Sequence, residues 1–176
     1  MYELEGRKNH VALLDACEAL WARGEKFTLR MIGSANRETG GAALARVRAL
    51  QSAGRALRYD GALGETTVAA AYAECSFTVY PSIVEGFGLP VIESLSHGKP
   101  CICSARGALG ESARGGGCVS LDAVDASSLT AAIAGLLASP QKTSALATEA
   151  RARKFRTWFD YAAELSMWAR GLKRRN

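Results

Sequence analysis

The chain has 176 residues, of which 48% are hydrophobic and only 4 are proline, and its formal net charge is +5. This length suits one domain with its own apolar core, and no apolar run approaches the roughly 18 residues that a membrane span needs. The first residues are neither basic nor apolar, so we expect no signal peptide and a cytoplasmic protein.

Helix and strand signals alternate along the first part of the chain. Asn9 is a candidate N-cap of a first helix that Gly24 ends. The apolar stripe of this helix is formed by Val11, Leu14, Cys17 and Leu20. Strands are predicted over 27–32 and 57–59, separated by a helix over 42–52. The inward side of that second helix is formed by Leu44, Val47 and Leu50.

The alternation continues with a helix over 66–74 and a strand over 77–80. Pro90 suits the first position of the next helix, which Gly98 ends. A strand over 100–104 then leads into a stretch that we interpret as a glycine-rich loop. The glycines of this stretch are Gly107, Gly110, Gly115, Gly116 and Gly117.

A last strand is predicted over 118–120, followed by a helix that Asp125 or Ser127 opens. The apolar residues of this helix are Leu129, Ile133, Leu136 and Leu137. Thr157 with Asp160 forms a capping box for a terminal helix. Its apolar residues recur at helical spacing, at Trp158, Tyr161, Leu165, Trp168 and Leu172. The alternation predicts one α/β domain with a parallel sheet.

Five cysteines are present, and their odd number and spacing match neither a disulfide framework nor a metal site. Cys101 and Cys103 are two residues apart in an apolar stretch, so on a strand they point to the same face. We expect most of the cysteines to be small buried hydrophobes.

The carboxyl-terminal end is basic, with eight Lys or Arg residues from Arg151 onward against Asp160 and Glu164. Such an end can face water or an anionic membrane surface. We expect no nucleic-acid partner, because neither a recognition motif nor interleaved aromatic residues accompany the charge.

The segment from Tyr80 to Glu93 reads Tyr-Pro-Ser-Ile-Val-Glu-Gly-Phe-Gly-Leu-Pro-Val-Ile-Glu. A strand ends there, a loop with Gly86 and Gly88 turns, and a helix begins at Pro90. Ligands bind at the carboxyl ends of strands in open parallel sheets. Backbone N–H groups before a helix N-terminus favour phosphate. This pattern alone is a weak phosphate-site signal.

Two carboxylates flank this turn. Glu93 is placed in the first turn of the helix, where a carboxylate can accept hydrogen bonds from a ribose diol, and Glu85 lies in the preceding loop. The alternative is that Glu93 only complements the helix dipole and Glu85 is a solvated loop residue. The chemistry alone favours neither interpretation.

The spacing from Glu85 to Glu93, set within Pro-Ser-x-x-Glu-Gly-Phe-Gly-Leu-Pro-x-x-Glu, resembles the signature of the retaining GT-B glycosyltransferases of family 4. The resemblance extends along most of the chain. Further matching segments are 7–9, 29–33, 59–61, 97–100, 110–111 and 157–162. It implies a Rossmann-like core over about 1–155 with helices on both faces, closed by a helix over 157–172. The single domain, 1–176, would be the C-terminal half of a GT-B fold.

The resemblance also implies roles for individual residues. Glu93 would bind the ribose of a nucleoside-diphosphate sugar, and Glu85 would lie beside the transferred sugar. Lys8 would neutralise the leaving diphosphate, although it could be an ordinary surface lysine. The remaining residues expected to contact the donor are Arg7, Ser82, Gly86, Phe87, Gly88 and Leu89.

The sequence departs from the family pattern near its start. Many members have an arginine six residues before the lysine, at the position of Tyr2 here. We also expect the strand that precedes this point in the family to be absent. The N-terminal domain that supplies the acceptor site is missing, so we expect a fragment that transfers sugar poorly. The terminal helix could cross toward that domain or pack on the core of this one.

The expected reaction is retaining transfer of a sugar to a polysaccharide or lipid-linked acceptor, with no metal and no cofactor. No Asp-x-Asp pair is present, which argues against a metal-dependent GT-A enzyme. Two alternatives remain open: a GT-B-type epimerase or phosphorylase, and a non-catalytic nucleotide-binding domain. The basic end would suit work at the inner membrane face.

Overall fold

The computed structural model describes residues 3–172, which form short strands alternating with helices. The strands are β1 Glu3–Leu4, β2 Leu29–Met31, β3 Ser34–Ala35, β4 Leu57–Tyr59, β5 Thr78–Tyr80, β6 Cys101–Ser104 and β7 Cys118–Leu121. The helices are α1 His10–Ala22, α2 Gly41–Ser52, α3 Glu65–Glu74, α4 Leu89–Ser96, α5 Gly107–Ala113, α6 Ala126–Leu137, α7 Pro140–Ala152 and α8 Trp158–Gly171.

All strand pairs are parallel, which confirms the predicted sheet type. The described strands pair as β1 with β3, β2 with β4, and β5–β6–β7 in that order. The expectation that no strand precedes Arg7 is wrong: β1 pairs with β3 through Glu3–Ser34 and Leu4–Ala35, and Gly6 follows. A two-residue strand is too short to give a hydrophobic alternation, which is why the sequence pattern did not show it.

Strand β6 separates two apolar layers, because its side chains alternate between the two faces. Ile102 belongs to a cluster with α1, α2 and α6, whereas Cys101 and Cys103 belong to a cluster with α4, α5 and α7. All three residues are buried. Helices therefore cover both faces of the sheet, as predicted, and Cys101 and Cys103 share one face.

A cavity of about 680 Å³ lies between β2 and β5. Within residues 3–172, β2 pairs only with β4 and β5 only with β6, so the strand edges facing this cavity have no sheet partner. Its lining includes Glu3, Lys8 and His10.

Two details of α1 differ from the predictions. Asn9 stands at the N-cap position, but its side chain makes no capping bond; it donates to the Val124 carbonyl oxygen at 2.6 Å instead. Val11 is 38% exposed, whereas Leu14 is fully buried. The other buried residues of α1 are Leu13, Ala16, Cys17, Leu20 and Trp21, so the apolar stripe is rotated away from Val11.

The predicted glycine-rich loop is partly wrong, because its first part is α5. A Cβ at Gly110 would lie 2.0 Å from the Ala105 carbonyl oxygen, so this glycine serves a close approach inside a helix. Gly115, Gly116 and Gly117 form the turn before β7, all with positive φ. Helix α7 was not predicted; Ala150 is its one buried residue, so it has no apolar stripe.

Helix α8 has the predicted capping box, with Thr157 Oγ1 accepting from Asp160 N. None of its residues is buried, and Trp158 and Trp168 are 87% and 63% exposed. The interpretation that α8 packs on the core of this domain is therefore wrong. No helix among residues 3–172 combines the length and apolar character needed to cross a membrane.

The shifted stripe of α1 gives a direct test. Leu14→Ala should lower the free energy of unfolding by about 2–5 kcal/mol, because it leaves a cavity in a closed core. Val11→Ala is the matched control on the same helix and should change it by less than about 0.5 kcal/mol. Urea denaturation measures both values, and equal losses in the two variants would contradict the observed orientation of α1.

Candidate functional site

The loop between β5 and α4 carries the expected signature. Ser82 and Gly88 are buried at its two ends, while Ile83, Val84 and Phe87 are exposed between them. Helix α4 begins at Leu89, so Pro90 is its second residue and not the predicted first one. The backbone of this loop therefore lies at the carboxyl end of a parallel strand and in front of a helix N-terminus, a setting that favours anionic groups.

The site around Gly88 leaves no space for a side chain. It has φ 77°, and a Cβ there would lie 2.9 Å from Ser112 Oγ and 3.0 Å from the Ala108 carbonyl oxygen. Ser112 Oγ also donates to the Phe87 carbonyl oxygen at 3.2 Å. Helix α5 thus packs against the loop at Phe87 and Gly88, directly before α4.

Glu85 is fixed by contacts on both carboxylate oxygens. Arg7 Nη1 lies 2.9 Å from Oε2, and Ser82 Oγ donates to Oε1 at 3.0 Å. The backbone adds a further link, because Ile83 N donates to the Arg7 carbonyl oxygen at 3.0 Å. The turn after β1 and the loop after β5 therefore form one structure, although 78 residues separate Arg7 from Glu85.

Glu5 was not identified from the sequence, yet it holds both basic residues. Its Oε1 lies 2.8 Å from Arg7 Nη2 and 3.3 Å from Lys8 Nζ. Burial would raise the pKa of Glu5, but the hydrogen bonds and charges of Lys8 and Arg7 outweigh it and lower the pKa below its ordinary value. The i,i+3 spacing of Glu5 and Lys8 is the signal that could have identified this contact.

Lys8 is buried, which excludes the interpretation as an ordinary surface lysine. It lines the cavity between β2 and β5 together with His10. The Nδ1 atom of His10 is buried without a hydrogen-bond partner. Burial, followed by the nearby Lys8 charge, lowers the pKa of His10 to about 4. His10 is therefore uncharged near neutral pH.

Glu93 is the fifth residue of α4, so the prediction of a first-turn carboxylate is wrong by one residue. The helix dipole acts mainly on the first turn, which weakens the dipole interpretation. The Tyr72 hydroxyl lies 3.5 Å from Glu93 Oε2, and the Tyr72 ring stacks on His97 with centroids 4.4 Å apart. Tyr72 had no local sequence signal that linked it to Glu93.

Two predictions are not tested by these contacts. Tyr2, where the family resemblance expects an arginine, lies outside the described residues. No group of three or more His, Cys, Asp or Glu residues within 3–172 has an arrangement that could hold a metal ion. The expectation of metal-free and cofactor-free chemistry stays a prediction.

The Gly88 position predicts a specific sensitivity of the loop. Gly88→Ala should lower the free energy of unfolding by about 1–3 kcal/mol, through left-handed strain and contact with Ala108. Gly86→Ala is the matched control, because a Cβ at Gly86 meets nothing within 4 Å. If urea denaturation gives the two variants the same stability, the close approach at Gly88 is disproved.

The Glu5 ion pairs predict a pH-dependent contribution. Glu5→Gln should cost about 1 kcal/mol at neutral pH, since it removes a carboxylate from two cations. Because the folded pKa of Glu5 is lowered, this stability is present above the ordinary value of 4.5 and lost as the pH falls through the folded value.

The measurement is urea unfolding at neutral pH and well below pH 4.5, with the exposed Glu25→Gln as control. The gap between wild type and Glu5→Gln should close in acid. A gap that stays constant with pH would show that the ion pairs do not stabilise the folded chain.

Comparisons with known proteins agree on one family. Residues 1–153 match the family described as Glycosyl transferases group 1. The chain is 44% identical over 48 residues to O-antigen chain mannosyltransferase B of Escherichia coli, covering 27% of this chain and 13% of that protein. It is 34% identical over 106 residues to MMP alpha-(1->4)-mannosyltransferase of Mycolicibacterium hassiacum, covering 58% of this chain and 26% of that protein.

The fold has solved counterparts. The crystal structure of Anabaena HepE in complex with UDP and glucose superposes with a TM-score of 0.79 at 19% identity. The superposition covers 98% of this chain and 47% of HepE, so the chain spans about half of a GT-B protein. This likeness confirms the predicted fold, a Rossmann-like α/β half of GT-B. With the family match over residues 1–153, it follows that the chain belongs to the Glycosyl transferases group 1 family.

Proposed function

We propose that this chain is the donor-binding half of a retaining glycosyltransferase and binds a nucleoside-diphosphate sugar. The observation that carries the proposal is the Glu85 carboxylate, which Arg7 and Ser82 hold in place beside the Gly86–Gly88 loop. A fixed carboxylate, backbone N–H groups at a helix N-terminus and a nearby buried lysine together suit a sugar joined to a diphosphate.

Each part of the site has a role in this proposal. The backbone around Phe87, Gly88 and Leu89 binds the diphosphate, and Lys8 neutralises the charge that develops as the diphosphate leaves. Lys8 is 3.3 Å from Glu5, so this carboxylate positions the ammonium group until the donor arrives. Glu85 binds hydroxyl groups of the transferred sugar, and Glu93 accepts hydrogen bonds from the ribose.

The relatives support the same class of donor. Two are named as mannosyltransferases, and HepE was crystallised with UDP and glucose. We propose a polysaccharide or lipid-linked acceptor, because the name of the Escherichia coli relative refers to the O-antigen chain. We further propose that transfer needs no metal and no cofactor.

Efficient transfer requires the acceptor to be held against the donor. The chain covers 47% of HepE, and we propose that a companion N-terminal half supplies the acceptor site. The isolated chain should therefore bind the donor nucleotide and transfer little sugar. An epimerase or phosphorylase of the same fold, or a domain that only binds nucleotides, would retain the same binding loop.

Calorimetric titration with UDP, GDP and ADP tests the donor site. One of the three should bind, and Glu93→Gln should weaken it by roughly tenfold or more, because a hydrogen bond to a charged group is lost. Glu65→Gln, in the first turn of α3, is the control and should bind like wild type.

Two results would argue against the proposal. Equal binding by wild type and Glu93→Gln would remove Glu93 from the ribose site. Absence of binding by the full-length protein, with both halves present, would contradict the donor-binding function itself. Net sugar transfer by that full-length protein would exclude the non-catalytic alternative.

Helix α8 is the proposed contact with the companion half. Its apolar stripe of Trp158, Tyr161, Leu165, Trp168 and Leu172 is exposed, and large exposed apolar patches mark interaction sites. The stripe is flanked by basic residues such as Arg156 and Arg170. An anionic surface at the inner membrane face is therefore the second candidate for a cytoplasmic protein of this kind.

Replacing Trp158 and Trp168 together by Glu separates these partners. In the isolated chain the change should alter the free energy of unfolding by less than about 0.5 kcal/mol, since both side chains are exposed. In the full-length protein it should lower the thermal midpoint, whereas Ser166→Glu on another side of α8 should not. Loss of binding to anionic vesicles, with an unchanged midpoint, would assign α8 to the membrane.

A further inference from the structure

Three of the five cysteines meet on one face of the β5–β6–β7 sheet. Cys101 and Cys103 alternate along β6, and Cys118 begins β7 directly opposite Cys101 in the parallel register. Cys101 and Cys103 are buried, while Cys118 is half-buried and packs against the same apolar cluster. Nothing in the proposed donor chemistry uses these three thiols.

The register selects one pair within this cluster. Neighbouring strands lie about 4.8 Å apart, which falls within the roughly 4.4–6.8 Å between Cα atoms that disulfides span. Cys101 and Cys103 are separated along one strand by about 6.6 Å, near the upper limit. Cys103 is opposite Ser120, not Cys118. Cys101 and Cys118 are therefore the pair best placed for a bond.

Cys118 is the more reactive thiol of this pair. Hydrogen bonds from Cys101 and then Cys103 lower the pKa of Cys118, and the Arg153 guanidinium acts in the same direction, whereas burial and the nearby Glu149 carboxylate oppose them. Arg153 is anchored next to the start of β7, donating to the Gly116 carbonyl oxygen at 3.0 Å. Thiolate character and partial exposure are the properties of an oxidisable cysteine.

We propose that Cys118 and Cys101 form a reversible redox pair, which a hydroperoxide converts into a disulfide between β7 and β6. The Cys118 thiolate attacks one peroxide oxygen, the O–O bond breaks, and a sulfenic acid forms as water or an alcohol leaves. The Cys101 thiol then displaces the sulfenic oxygen as water and forms the S–S bond. The peroxide gains the two electrons that the two sulfurs lose.

The position of the pair connects it to the donor loop. The cysteine face of β6 lies beneath Val91 and Leu95 of α4 and Leu109 of α5. Helix α4 follows Gly88, and α5 supports the same loop through Ser112. A disulfide between β6 and β7 would therefore form directly below the two helices, α4 and α5, that position this loop. The redox proposal itself does not depend on nucleotide binding.

The test is treatment of the purified chain with hydrogen peroxide, followed by intact mass measurement and peptide mapping. Trypsin cleavage after Arg106 and Arg114 places Cys118 in a different peptide from the cysteines of β6, and fragmentation of the cross-linked peptides distinguishes Cys101 from Cys103. The expected product has lost two hydrogen atoms, joins Cys101 to Cys118, and returns to the starting mass with dithiothreitol. Because wild-type protein is mapped, this result does not depend on the folding of any variant.

Variants then identify the participants. Cys118→Ser and Cys101→Ser should abolish the cross-link, while Cys103→Ser should retain it. Cys17→Ser is the matched control, because Cys17 is buried in the other cluster and burial raises its pKa to about 12. Circular dichroism verifies that each variant is folded.

Three outcomes would overturn the proposal. These are oxidation of Cys118 to sulfinic acid without a cross-link, a cross-link that maps to Cys103, and a wild-type mass that peroxide leaves unchanged. A cross-link between two copies of the chain, recognised by its doubled mass, would also count against an intramolecular pair.

Discussion

The contact between Arg7 and Glu85 is the interaction on which the site depends. It joins the turn after β1 to the loop after β5, and the Ile83–Arg7 backbone bond fixes the same junction. Glu5 extends the junction by holding Arg7 and Lys8 together. A side chain that binds a ligand well must itself be held by its neighbours. Here the same residues that would recognise the donor also hold two parts of the fold in place.

The second constraint is that the sheet is buried on both faces. Parallel strands need apolar residues on each side, and β6 meets this need with Ile102 on one face and two cysteines on the other. Thiols serve here as small hydrophobic side chains. The same placement brings three sulfur atoms together on one face of the sheet. Residues that serve packing can therefore also take part in the proposed thiol chemistry.

Most of the fold could be predicted because its longer elements have clear periodicity. Helix α5 was not predicted because the glycine at position 110 suggested a loop. In the structure a glycine is needed there because the backbone passes close to the Ala105 carbonyl oxygen. Helix α7 has no apolar stripe, yet Pro140 after a capping Ser139 was an available signal. The signature around Glu85 indicated the site, but no local pattern could show its contact with Arg7, which is distant in the chain.

The cavity between β2 and β5 has a mechanical consequence. Pressure favours states with a smaller total volume, and the volume change of unfolding scales with the voids that unfolding removes. A space of about 680 Å³ lies between two strand edges that have no sheet partner within residues 3–172, so these edges are less tightly packed than the layers around Leu14 and Ile102. We therefore expect hydrostatic pressure to change the spacing of β2 and β5 more than it changes these buried layers.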